Sequence, residues 1–200
     1  MNDSSEKITA HDKISNSRYN RVAIALHWLL AMGLIYQLSL GIWMDGVPKT
    51  PPGLRADWFN WHKSVGMVLG LLIVLRVLWR LTHASPALPG TMPRWQQRGA
   101  SLSHALLYGC MVAMPLSGFL GSSFTKYPIK FFGMPLPRLW EANPDLKALC
   151  GSVHTGASYL FMLVIALHVA AALMHLLRRD GVFSRMWPAS QLVQTVGTPG

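Results

Sequence analysis

About half of the 200 residues are apolar and only 13% are charged, against about a quarter in a soluble domain, which excludes an ordinary soluble fold and indicates an integral membrane protein. The net charge of +10 gathers at the ends of apolar runs, as in membrane proteins, and no basic face suited to nucleic acid is evident. The two cysteines, Cys110 and Cys150, form no CxxC or zinc pattern and belong at different depths, which argues against a disulfide between them.

Met1 to Asn20 is polar, of mixed charge, and lacks the apolar core of a signal peptide. It is expected to be a mobile cytoplasmic tail. The first predicted span covers about residues 22–43, enough to cross a hydrocarbon core ~30 Å thick. His27 lies in its first half, and Trp28 and Trp43 suit the membrane interfaces. Asp45 to Trp61 reads as a proline-containing loop. The second span covers about residues 62–81 and opens on His62. Arg76 follows fourteen residues later, and Gly66 and Gly70 share the same face. Small residues there admit a flat ligand or a neighbouring helix.

Thr82 to Ser101 reads as a second loop. The third span, about 102–121, has His104 at its entrance and Pro115 inside, where a kink is expected. Ser122 to Gly151 reads as the longest loop. Its aromatics, Phe124, Tyr127, Phe131, Phe132 and Trp140, suggest that it packs down on the bundle. The fourth span, about 152–177, carries His154, His168 and His175. Arg178, Arg179 and Arg185 follow, then a polar tail over 189–200.

The fold class is therefore all-α, a membrane four-helix bundle formed by residues 21–188. Four spans put both termini on one side. Basic residues flank that side at Lys7, Lys13, Arg18 and Arg21, at Arg80, Arg94 and Arg98, and after the fourth span. The positive-inside rule makes it cytoplasmic, since the long third loop with Lys126, Lys130, Arg138 and Lys147 counts for less. The expected location is a membrane, crossed four times.

Fourteen residues of helix return to nearly the same face, about 40° short of whole turns, after a rise of about 21 Å. His154 and His168 thus share one stripe, one in each half of the membrane, with Phe161 midway between them. With this topology His27 and His168 meet in the cytoplasmic half, and His62 and His154 in the outer half. Each pair joins two helices at one depth, which matches bis-histidine ligation of two b-type haems inside a bundle. Zinc or copper would want three or four ligands at one level. A proton relay would also use acidic residues, and none lies within a span.

His175 competes with His168 but stands three residues from Arg178 and reads as interfacial. His104 reads as a neighbour of the cytoplasmic haem or a headgroup contact. His11 and His83 read as solvated. Haem propionates need cations. Arg76 is the leading candidate, ahead of Arg21 and Arg80, with Lys63, Lys126 and Lys130 available on the outer side.

The stretches RVAIALHW, WHKSVGMVLGLLIVLRVLWRL, SHALLYGCMVAMPLSG and VHTGASYLFMLVIALHVAAALMH resemble the bacterial cytochrome b561 family, which is itself similar to the b-type subunits of nickel-iron hydrogenases. The resemblance covers about Tyr19 to Pro188. It implies that His27, His62, His154 and His168 are axial ligands of two haems b, and that the protein passes electrons between the outer face and the quinone pool. Some members of that family are similar to superoxide oxidases, which implies a quinone oxidoreductase with superoxide as a plausible periplasmic donor. The alternative is a membrane-anchor subunit that carries electrons for a soluble redox partner. A quinone needs a proton source when it is reduced. His104 and His175 are the candidates for that relay, because an unligated imidazole titrates near neutrality.

Overall fold

The computed structural model describes residues 18–50, 53–86 and 92–188. His11, most of the expected N-terminal tail, and the tail from residue 189 lie outside the described residues. Helix α1 is Arg21–Asp45, α2 is Leu54–Thr82, α3 is Arg94–Ser123 and α4 is Pro144–Arg178. A two-stranded antiparallel hairpin, β1 (Lys130–Phe131) and β2 (Met134–Pro135), interrupts the connection between α3 and α4. A single 3-10 turn, Phe183–Met186, follows α4. Among the described residues these four helices are long and apolar enough to cross a membrane.

Three helices begin well before their apolar runs. The stretches from Leu54, from Arg94 and from Pro144 are helical, where the sequence read as loop. Apolarity marks the part of a helix inside hydrocarbon, and the backbone goes on hydrogen-bonding beyond it. The 35 residues of α4 rise about 52 Å, well past the hydrocarbon layer. Local signals start two of the helices. The Asn20 side chain accepts from the Ala23 amide at 2.8 Å, and Asn143 accepts from the amides of Asp145 and Leu146 just ahead of Pro144, both sound N-terminal caps.

Helix α1 packs on α2, α2 on α3, and α3 most extensively on α4. The core lies at mid-height and consists of Leu30, Leu69, Ile73, Cys110, Met111 and Phe161. Leu71, Leu163 and Leu177 stay exposed on the outside, where lipid is their solvent. The glycines on α2 sit at close approaches: a Cβ on Gly66 would stand 3.1 Å from Gln37 Nε2, and one on Gly70 would stand 3.2 Å from Pro115 Cβ. Cys110 is buried in the core, and both cysteines are free.

Both ends of the described chain meet at one end of the bundle. Arg18 donates to the carbonyls of Ser184 and Trp187, and Trp28 Nε1 donates to Met186 O at 2.8 Å. This is the terminus end. At the opposite, hairpin end the long connection packs down on the helices, as its aromatics suggested. The buried Ser64 hydroxyl accepts from the Phe132 amide at 2.9 Å, and the rings of Trp61 and Phe132 meet edge-on at 5.3 Å.

Candidate functional site

At the hairpin end, His62 on α2 faces His154 on α4 with ring centres 6.3 Å apart. His154 Nδ1 lies 3.0 Å from the Met114 carbonyl and 3.2 Å from Ser117 Oγ. A carbonyl only accepts, and Ser117 already donates to Ala113 O at 2.6 Å. The Nδ1 atom therefore carries the proton, and Nε2 keeps its lone pair for a metal. Gln37 Nε2 donates to the His62 carbonyl at 2.7 Å. His62 Nδ1 is buried, and no hydrogen-bond partner for it is found among the described residues.

At the terminus end, His27 on α1 faces His168 on α4 at 6.4 Å. Arg76 donates to Ala23 O at 3.2 Å, and its Nη2 stands 3.4 Å from His27 Nδ1. The Arg76 guanidinium also lies 5.9 Å from the Tyr108 ring centre. His104, on the exposed side of α3, stands 5.6 Å from His168. His175 is engaged elsewhere: its Nδ1 pairs with Asp180 Oδ2 at 2.6 Å, just past the end of α4. His83 stacks on Trp79 at 3.8 Å. Lys126 lies over the ring of its neighbour Tyr127, and Lys130 is the first residue of β1.

Each pair has the dimensions of a two-imidazole metal site. Two metal–nitrogen bonds of about 2 Å, with roughly 1.2 Å from each nitrogen to its ring centre, add to about 6.4 Å. Among the described residues no three His, Cys, Asp or Glu side chains converge. The buried, unpartnered His62 Nδ1 and the ready Nε2 of His154 fit haem, whose iron takes one imidazole on each face.

Several supporting residues escaped the sequence reading: Gln37, Gly41, Met114, Ser117, Gly118 and Tyr108. Two of them carried a signal. Gly41 lies fourteen residues after His27, and Gly118 fourteen after His104, the same spacing as His62 to Arg76 and His154 to His168. A Cβ on Gly41 would stand 3.4 Å from His62 Cε1, and one on Gly118 would stand 3.1 Å from His154 Cε1. Gly118 therefore leaves room for the His154 imidazole, whereas a methyl group at Gly41 would only touch His62 at ordinary contact distance.

A membrane four-helix bundle with a facing imidazole pair near each end defines a class, the membrane-embedded b-type cytochromes. The comparisons carry this one step further. The chain belongs to the prokaryotic cytochrome b561 family, whose sequence profile matches residues 18–189. It is 27% identical over 176 residues to cytochrome b561 homolog 1 of Escherichia coli (strain K12), covering 86% of this chain and 98% of that protein. It is 30% identical over 180 residues to cytochrome b561 homolog 2 of the same organism, covering 84% and 90%. A Yersinia pestis protein named "Probable superoxide oxidase CybB" is 27% identical over 180 residues, covering 86% and 97%. The chain is accordingly a b-type cytochrome, a multi-pass electron-transfer protein of the bacterial inner membrane.

Proposed function

We propose that the chain holds two haems b, one between His62 and His154 and one between His27 and His168, and passes single electrons from a periplasmic donor to a membrane quinone. The observation that carries this reading is the pair of matching imidazole separations, 6.3 and 6.4 Å, in opposite halves of one bundle. Haem iron bound there supplies reversible one-electron exchange. The chain's residues do the rest. Met114 and Ser117 orient His154, Gly118 leaves room for its ring, and Arg76 offers a cation for a propionate.

The terminus end is taken as cytoplasmic. His104 is then an exposed imidazole beside the inner pair, suited to meet a quinone arriving from lipid and to hand it a proton. His175 is the second candidate for that relay, at the water interface. Superoxide is the proposed donor, because a Yersinia relative bears that activity in its name and Lys126, Lys130, Arg138 and Lys147 make the hairpin end attractive to an anion. Two superoxide anions each lose one electron to become dioxygen, and quinone takes both electrons with two protons to become quinol.

The test uses purified protein with superoxide and a soluble ubiquinone analogue. About two haems per chain and superoxide-dependent quinol formation without any partner are expected. Two haems with no such turnover would turn the reading to a conduit for a separate redox protein. A single haem in fully loaded protein would sink the pairing.

A further inference from the structure

We propose that Arg76 makes the terminus-end haem the stronger electron acceptor of the two, so that electrons run downhill from the hairpin end. The proposal rests on the two-haem reading above. It comes from a difference between the surroundings of two pairs that are otherwise nearly alike in spacing.

At the terminus end a permanent cation lies against a ligand candidate. The guanidinium cannot lose its charge in a protein. It is fixed from two sides, by the bond to Ala23 O at 3.2 Å and by the Tyr108 ring at 5.9 Å, and it reaches to 3.4 Å from His27 Nδ1. At that length the contact is weak as a hydrogen bond, and its weight is the charge it brings. At the hairpin end the arrangement is reversed. The nearest polar groups to His154 Nδ1 are two oxygens, the carbonyl of Met114 at 3.0 Å and the hydroxyl of Ser117 at 3.2 Å. Lys63, next to His62 in the chain and about 100° around the helix from it, also brings a positive charge within electrostatic reach of His62. The contrast is that only Arg76 stands in direct contact with a ring.

Oxidation adds a positive charge to the iron. A neighbouring cation in a weakly screened interior opposes that change and raises the reduction potential. An imidazole that gives its Nδ1 proton to an oxygen becomes a more basic ligand, which favours the oxidised iron and lowers the potential. Both effects push the two sites apart in the same sense. With a haem held by each pair, one electron would pass from the hairpin end to the terminus end, oxidising the first site as it reduces the second, with no bond made and no proton moved.

The test is a spectroelectrochemical titration of the purified holoprotein and the variants Arg76→Gln, Arg76→Lys and His62→Ala, with haem content measured in each. Wild type should show two midpoints, and His62→Ala should lose the lower one. Arg76→Gln should drop the upper midpoint by at least tenfold in equilibrium, 59 mV for one electron, and leave the lower in place. Arg76→Lys keeps the charge and should stay closer to wild type. An unmoved upper midpoint in Arg76→Gln, an equal fall in both, or loss of the upper component in His62→Ala would overturn the proposal. If Arg76→Gln retains only one haem, Arg76→Lys decides, since a collapse of the upper midpoint with the charge still present rules out the charge as its cause. Two haems with indistinguishable midpoints would overturn the role of Arg76 and leave the two-haem reading standing. A single haem in wild type would overturn both.

Discussion

His154 on α4 gives its Nδ1 proton to the carbonyl of Met114 on α3, across 3.0 Å. That bond joins the two most extensively packed helices at the point where one of them presents an imidazole. It fixes the ring's tautomer and its rotation together, which is what a metal-binding histidine requires from behind. The partner ring of His62 is held differently, through its own backbone carbonyl, which Gln37 engages.

Single-ligand variants should fall into two matched sets. His62→Ala and His154→Ala should each remove the hairpin-end haem and leave the other largely in place. His27→Ala and His168→Ala should do the reverse, because each iron loses one of its two protein ligands. Pyridine haemochrome assays and reduced-minus-oxidised spectra read the outcome. If His175→Ala rather than His168→Ala behaved like His27→Ala, the terminus-end pair would be misassigned.

Gly118 should tolerate little. A methyl group there would sit 3.1 Å from His154 Cε1, so Gly118→Ala forces a small shift and Gly118→Val a larger one. Overpacking of this kind costs about 1–3 kcal/mol. The expected result is partial loss of the hairpin-end haem in Gly118→Ala and nearly complete loss in Gly118→Val, with the terminus-end haem unaffected. Full loading of both variants would show that the ring shifts without loss of its ligand role.

Quinone chemistry should separate His104 from His175. Rapid mixing with a reductant should find haem reduction fast in both His104→Ala and His175→Ala. Reoxidation by quinone should slow most in His104→Ala, because His104 stands 5.6 Å from His168 while His175 is held by Asp180. Unchanged quinone kinetics in both variants would move the quinone to the hairpin end.

The sidedness can be read by chemical labelling. In a chain with Cys110 and Cys150 replaced by alanine, Tyr127→Cys puts a thiol at an exposed position of the hairpin end. A membrane-impermeant maleimide should label it in intact cells and should fail to label Trp187→Cys at the terminus end until the cells are opened. The opposite pattern would invert the proposed direction.

The His175–Asp180 pair gives a pH signature. Partial burial opposes ionisation of Asp180, but the hydrogen bonds from His175 and from the Val182 amide outweigh it, and the carboxyl is held below its ordinary value of 3.8. A depressed carboxylate contributes stability above its unfolded value and loses it as the pH falls through the folded one. Asp180→Asn should therefore melt slightly earlier than wild type at neutral pH, and the two curves should converge in acid below the ordinary carboxylate range. A difference that persists there would mean that packing, not charge, holds the turn.

Much of this was legible because histidine is conspicuous in an apolar helix. The fourteen-residue step from His154 to His168 aligned two rings on one face, and depth alone gave each its partner from another helix. The same step in α1 and α3 runs from a histidine to a glycine, and a residue without a side chain attracts no notice, although Gly41 lies beside the His62 ring and Gly118 leaves room for that of His154. Ser117, Gln37 and Tyr108 were hidden for another reason. Their contacts depend on how each helix is rotated about its axis, and neither hydropathy nor spacing determines that rotation. The helix starts at Leu54, Arg94 and Pro144 escaped because composition changes at the hydrocarbon boundary while backbone hydrogen bonding does not.

Phe161, only 1% exposed, fills the middle of the bundle among Leu30, Leu69, Ile73 and Met111. Apart from the weakly polar Cys110 thiol that plug is apolar, so a chain of water molecules has little foothold between the histidine pairs. On the two-haem reading, an electron passing between the histidine pairs would feel the membrane voltage directly, at about 2.3 kcal/mol per elementary charge for each 100 mV across the whole membrane. In the proposed direction, with the terminus end inside, an electron would move toward the negative side of an energised membrane. A well-charged cell would therefore hold this traffic back, and a depolarised one would release it.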